Sequence, residues 1–355
     1  MTGKSAHCIA PALVAALAML SLSGCSAIGY YGHLARGEYA LLAARRPIPK
    51  VVADPSSPPS LKARLELAAR ARAFASARLA LPRNSSYTRY ADLHRDYATW
   101  NVFAAPEFSV EAVNQCYPLV GCVAYRGYFD RARADAEAAR LQAQGLDTWV
   151  GGSAAFSTLG WFADPIVSPM LRWDDDELAA TIFHELAHQR VFVKDDTAFN
   201  ESFATFVQIE GLREWRRTRG LPAAADAAER RRDDFEALVL AARERLRAVY
   251  ASALDVDTMR TRKREEIERL RRDYYRVRDE SWGGQGDYDD WIAAPINNAK
   301  LLPFGLYRHW VPAFAALFAA HGNDWPAFYA AAARIGALDA AARTQALDRL
   351  GGSAR

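Results

Sequence analysis

The chain has 355 residues, 51% of them hydrophobic and 25% charged, with a formal net charge of +3 at pH 7. That apolar fraction is ample for a buried core, and the near balance of charge excludes a nucleic-acid partner held by a dominant basic surface. The length suits one large domain or two small ones.

Residues 1–24 read as an export signal. Lys4 supplies positive charge, and Ile9 to Leu22 form an apolar run shorter than the roughly twenty residues that span a bilayer. The run ends in Leu22-Ser23-Gly24-Cys25, which resembles the lipobox of bacterial lipoproteins. In that motif the Cys becomes the new amino terminus and carries acyl chains such as palmitate, and two or more chains anchor stably where one does not. Ser26 stands where an Asp would retain a lipoprotein in the inner membrane. The expected location is therefore the cell envelope, anchored through Cys25 to the outer membrane and facing the periplasm. The mature chain, 25–355, is expected to form a single domain with no second membrane segment.

Cys8 leaves with the signal and Cys25 is lipidated, so Cys116 and Cys122 remain as a pair. Pro118 and Gly121 between them suit a tight loop that a disulfide closes in an oxidising compartment. Earlier in the chain, a helix from Gly29 and an Ala/Arg/Leu helix from Leu61 to Leu79 flank a Pro/Ser linker at 54–59. Tyr87, Tyr90, Tyr97 and Trp100 read as core, or as the lining of a groove.

Thr148 to Phe162 has strand composition, with Gly151-Gly152 as a turn or bulge and Asp164-Pro165 as the stop. Gly151, Gly152, Ser153 and Ala154 are candidate substrate-binding residues. An edge strand offers main-chain donors and acceptors to an extended peptide, and glycine lets another backbone approach.

The most informative stretch is His184-Glu185-Leu186-Ala187-His188. Histidines four apart on a helix share a face and can reach one ion, while Glu185 can face the ion's open position as general base. Glu201, on the next helical stretch, supplies a third ligand. Two His and one Glu around Zn2+, one ion per chain, leave a position free for chemistry. Asp174 reads as the N-cap of the first helix, with Glu177 completing a capping box, and Thr197 as the cap of the second.

Taken together, Cys116-Tyr117-Pro118, Gly121 to Phe129, Gly160 to Pro165, the His184–His188 motif, Phe199 to Ala204 and Asn297-Asn298-Ala299 are similar to the bacterial family labelled putative aminopeptidases. The resemblance implies a metal-dependent peptidase of gluzincin type acting on peptide substrates, with Glu201 completing the zinc site. The gap from His188 to Glu201 is shorter than in better-known gluzincins. Thr205 also occupies the position where an Asp often orients a zinc histidine, so that role passes to another residue.

Residues 223–280 read as two antiparallel helices breaking near 254–257, with Glu and Asp interleaved among the arginines. Tyr307 is the expected donor opposite the metal, steadying charge on the tetrahedral intermediate. The expected fold is α+β and predominantly α-helical: a zincin-like core, a small sheet beside the histidine helix and a helical-hairpin insertion. The expected function is zinc-dependent peptide hydrolysis as an aminopeptidase. The alternatives are an endopeptidase, or an envelope scaffold whose zinc site is structural only.

Overall fold

The computed structural model describes residues 28–117, 121–155, 157, 158, 160–222, 226–305 and 309–352. The export-signal reading, Cys25, Pro118 and Tyr307 lie outside them.

A helix over 28–43 (α1) leads through β1 (Arg46–Pro47) and α2 (Ile48–Ala53) to α3 (Pro59–Ala77). Strands β2 (Arg89–Ala91), β3 (Thr99–Pro106), β4 (Gln115–Tyr117), β5 (Gly121–Val123) and β6 (Tyr125–Tyr128) follow. After helix α4 (Arg131–Gln142) come β7 (Leu146–Ser153) and β8 (Ile166–Val167). The central pair is α5 (Asp175–His188) and α6 (Thr197–Thr218), and the long hairpin is α7 (Asp226–Tyr250) with α8 (Val256–Ser281). Short helices α9 (Asp289–Ala293) and α10 (Asn298–Leu301) precede α11 (Val311–Ala320), α12 (Trp325–Gly336) and α13 (Ala340–Gly352). The architecture is thus predominantly helical α+β, with sheets of two or three strands.

The main core forms where α3, α5, α6 and the last three helices meet. Leu178, Ile182, Phe183 and Leu186 of α5 are fully buried there against Phe199, Phe203, Phe314 and Phe328. Each such side chain contributes about 1.5–3 kcal/mol through burial. Gly211 lets α6 approach closely, because a Cβ there would lie 2.7 Å from Leu79 and 3.2 Å from Phe183. Asp174 starts α5 as expected, its side chain accepting from the Glu177 N–H at 2.7 Å.

Several local expectations shift. The cap of α6 is Asp196, which accepts from Phe199 N–H at 2.9 Å, and Thr197 is the first helical residue. A carboxylate suits the positive helix end better than a hydroxyl. The extended stretch is shorter than expected, since β7 stops at Ser153.

The antiparallel sheet runs β6-β3-β7, placing β7 at an edge. Tyr97 lays its ring over Gly152, where a Cβ would come within 2.4 Å of it, and Trp149 does the same at Gly151. The chain's own rings therefore occupy the space those glycines leave. Asn298 is fully buried and stitches this sheet to the hairpin: its Nδ2 donates to Pro106 and Glu107 carbonyls, and its Oδ1 accepts from Tyr250. The Asn297-Asn298 block is a structural joint.

Strands β4 and β5 form a ribbon in which Cys116 faces Cys122 in register, joined by a disulfide with Cα atoms 3.9 Å apart. So short a loop gains modestly from cross-linking, about 2 kcal/mol. A Cys116→Ala/Cys122→Ala double variant is expected to fold, keep its metal content and melt a few degrees lower, as calorimetry and metal analysis would record. Metal lost together with the cysteines would overturn the ligand assignment.

Candidate metal centre and cleft

Helix α5 ends at His188, and His184 lies one turn earlier on the same face. Helix α6 returns antiparallel, so its early residue Glu201 meets the end of α5. His184 Nε2 lies 3.2 Å from Glu201 Oε2 and 3.1 Å from His188 Nε2, and His188 Nε2 lies 3.6 Å from the same carboxylate oxygen. Both imidazoles are buried. Among the described residues this is the one set of three side chains placed to hold a metal.

The donor set fits zinc. Ligand atoms about 2.0–2.2 Å from a tetrahedral ion sit roughly 3.3–3.6 Å from one another, close to the three separations found. The chemistry agrees. Gln208 Oε1 lies 3.0 Å from His184 Nδ1, and with the proton there a neutral ring turns its Nε2 lone pair toward the Glu201 carboxylate and the other imidazole. A cation among the three relieves that repulsion. Gln208 also fills the orienting role that Thr205 leaves open. His188 Nδ1 is buried with no hydrogen-bond partner among the described residues.

Charge is strongly shared here. Burial works against the Glu201 carboxylate, yet His188 and His184 outweigh it and hold the group well below the usual carboxylate range. Burial likewise opposes a charged His188, but Glu201 raises its pKa overall. The connecting loop is clamped at both ends. Asn200 donates to Val193 O and accepts from Val193 N, each at 2.7 Å, and Arg343 of α13 donates to Asp196 at 2.6 Å.

The triad opens into a cleft of about 440 Å³. Glu185 lines it, as do Tyr30 of α1, Asn101 of β3, Tyr125 of β6 and Cys122 of the disulfide ribbon. Of the four residues expected to bind substrate, Ser153 lines this space, whereas Gly151, Gly152 and Ala154 do not. Burial, then the charges of Glu201 and Glu185, push the Tyr125 hydroxyl above its ordinary pKa, so it stays a donor at neutral pH. Tyr125, Gln208 and Asp195 were not singled out from sequence. A polar residue two turns past Glu201 on the same face of α6 is the signal that could have found Gln208. Behind Glu185, Asp164 accepts from Thr158 N and Oγ1 at 3.1 and 2.7 Å, closing the 157–164 loop. Burial still pushes its carboxyl up to about 6.

Two buried histidines, a shared carboxylate and an adjacent open one define a candidate metal centre of hydrolytic type. The chain belongs to the family described as "Putative aminopeptidase", whose model matches residues 29–347. No curated protein and no solved structure matches the chain.

Replacing Gln208 by Leu is expected to leave the fold intact and weaken zinc binding about ten- to hundredfold. Competition with a colorimetric chelator measures this, and unchanged affinity would remove Gln208 from the site.

Proposed function

We propose that the protein is a zinc-dependent peptidase of gluzincin type, acting as an aminopeptidase in the bacterial cell envelope. The observation that carries this reading is the His184/His188/Glu201 donor triangle opening, with Glu185, into one cleft. Membership in a family described as aminopeptidases supports the reaction class.

His184, His188 and Glu201 would hold a zinc ion, which would supply Lewis acidity toward the scissile carbonyl and acidify a water. Glu185 is placed beside them to accept a proton from the attacking water and pass it to the leaving amine. Its carboxylate has no hydrogen-bond partner among the described residues, so it is free to do so. Tyr125 donates toward the oxygen that gains negative charge, alongside Tyr307, which sequence assigns to the same task. An extended peptide adding to the outer edge of β7 enters the cleft beside Ser153. A scaffold with a purely structural zinc would leave Glu185 without a role.

Anchoring at Cys25 rests on the Leu22-Ser23-Gly24-Cys25 motif. In its support, the described part of α1 starts at Ile28 and exposes Ile28, Tyr31 and Tyr39 at 74%, 46% and 73%. Tyrosines on such a helix suit the boundary between water and lipid. No helix among the described residues is long and apolar enough to cross a membrane.

His188→Ala should abolish stoichiometric zinc in metal analysis. Glu185→Gln should keep zinc and fold while peptide turnover falls by about a hundredfold or more; wild-type turnover in that variant would favour the scaffold. Cys25→Ser should block acylation and release the protein from the membrane fraction, and wild-type protein recovered entirely soluble would contradict the anchor.

A further inference from the structure

Four carboxylates line the cleft: Glu185, Asp195, Asp196 and Glu201. No lysine or arginine lines it among the described residues. Two of the four are engaged by other groups, and a third is assigned to proton transfer. Glu201 is shared by the two histidines, and Asp196 caps α6 with one oxygen while its other accepts from Arg343. Glu185 stands beside His184 as the base. Asp195 remains, and its hydrogen bond is to a neutral group: the Cys122 N–H of the disulfide ribbon donates to its Oδ1 at 2.7 Å. It forms no ion pair among the described residues, and its side chain is exposed at the cleft.

The backbone holds that carboxylate in place. Asp195 has φ +63°, the left-handed region that few residues other than Gly, Asn and Asp adopt readily. Val193 on one side is clamped by Asn200, and Asp196 on the other is fixed by Arg343. A residue held from both sides, with an acid that has no ion pair among the described residues facing the substrate space, has the form of a recognition group.

We propose that Asp195 binds the free α-ammonium group of the substrate and so restricts the cleft to peptides with an unblocked amino terminus. This rests on the peptidase reading and names its substrate class. A charged hydrogen bond inside a cleft is stronger than a neutral one. Acetylating the peptide removes the cation and leaves the acid facing a neutral amide.

Binding tests the assignment separately from turnover. The Glu185→Gln protein is titrated calorimetrically with a panel of tripeptides of differing first residue, each free and N-acetylated. Free peptides are expected to bind about ten- to hundredfold more tightly. Adding Asp195→Asn, which tolerates the same backbone and retains an acceptor for Cys122 N–H, should erase that preference with zinc content unchanged. Asp195→Gly also suits the backbone and should erase it too. The assignment is overturned by equal binding of free and acetylated peptides, by no binding of either, or by a preference that survives in the Asn variant. Amine preference without any wild-type turnover would instead sink the peptidase reading and leave Asp195 as the anchor.

Discussion

Everything at the site depends on bringing one carboxylate and two imidazole nitrogens within 3.6 Å of one another inside a buried space. Such a cluster is unfavourable by itself, because the groups lose water and two of them compete for a proton. It persists because the surrounding structure gives them nowhere else to go. Phe183 and Leu186 pin α5 in the core, Phe199 and Phe203 pin α6, and the loop between is held by Asn200 and Arg343. The core therefore pre-sets the donors, and a cation arriving among them meets little further ordering cost.

How much of this was legible follows from the range of each interaction. The two histidines and Glu185 lie within about one helical turn of one another, as do the Asp174 cap and Glu177, so spacing alone predicts their neighbours. The hairpin of α7 and α8 was likewise visible in its period, with a break where α7 gives way to α8. Strands β3 and β6 and helix α4 went unread, although β3 is the centre of the sheet. The pairing of the two strands joins residues far apart in the chain, and no turn signal links them. Tyr125 enters the cleft through that pairing, and Asp195 meets Cys122 across seventy-three residues, so neither role could be read from a local pattern.

The amino-terminal helix belongs to the cleft as well as to its surroundings. Tyr30 donates to Gly127 O at 3.1 Å, lies 3.2 Å from the Tyr117 hydroxyl, and is covered by the Arg126 guanidinium at 3.9 Å from its ring centre. These contacts tie α1 to β6 and to the disulfide ribbon at once. Tyr30, the ribbon and the Asp195 loop thus form one continuous wall of the cleft.

The short gap between His188 and Glu201 explains why Gln208, and not the residue at position 205, orients His184. Because α6 runs back along α5, a residue earlier in α5 faces a residue later in α6. His188 lies opposite Glu201, and Phe183 lies opposite Gly211, ten residues further on. His184 sits between these two levels. Seven residues past Glu201 brings the helix almost two full turns, back to nearly the same face, which places Gln208 level with the outer nitrogen of His184. Position 205, one turn past Glu201, is displaced sideways by about forty degrees and lies too near the loop. The length of the loop thus decides where the supporting residue must be, and a glutamine reaches from there.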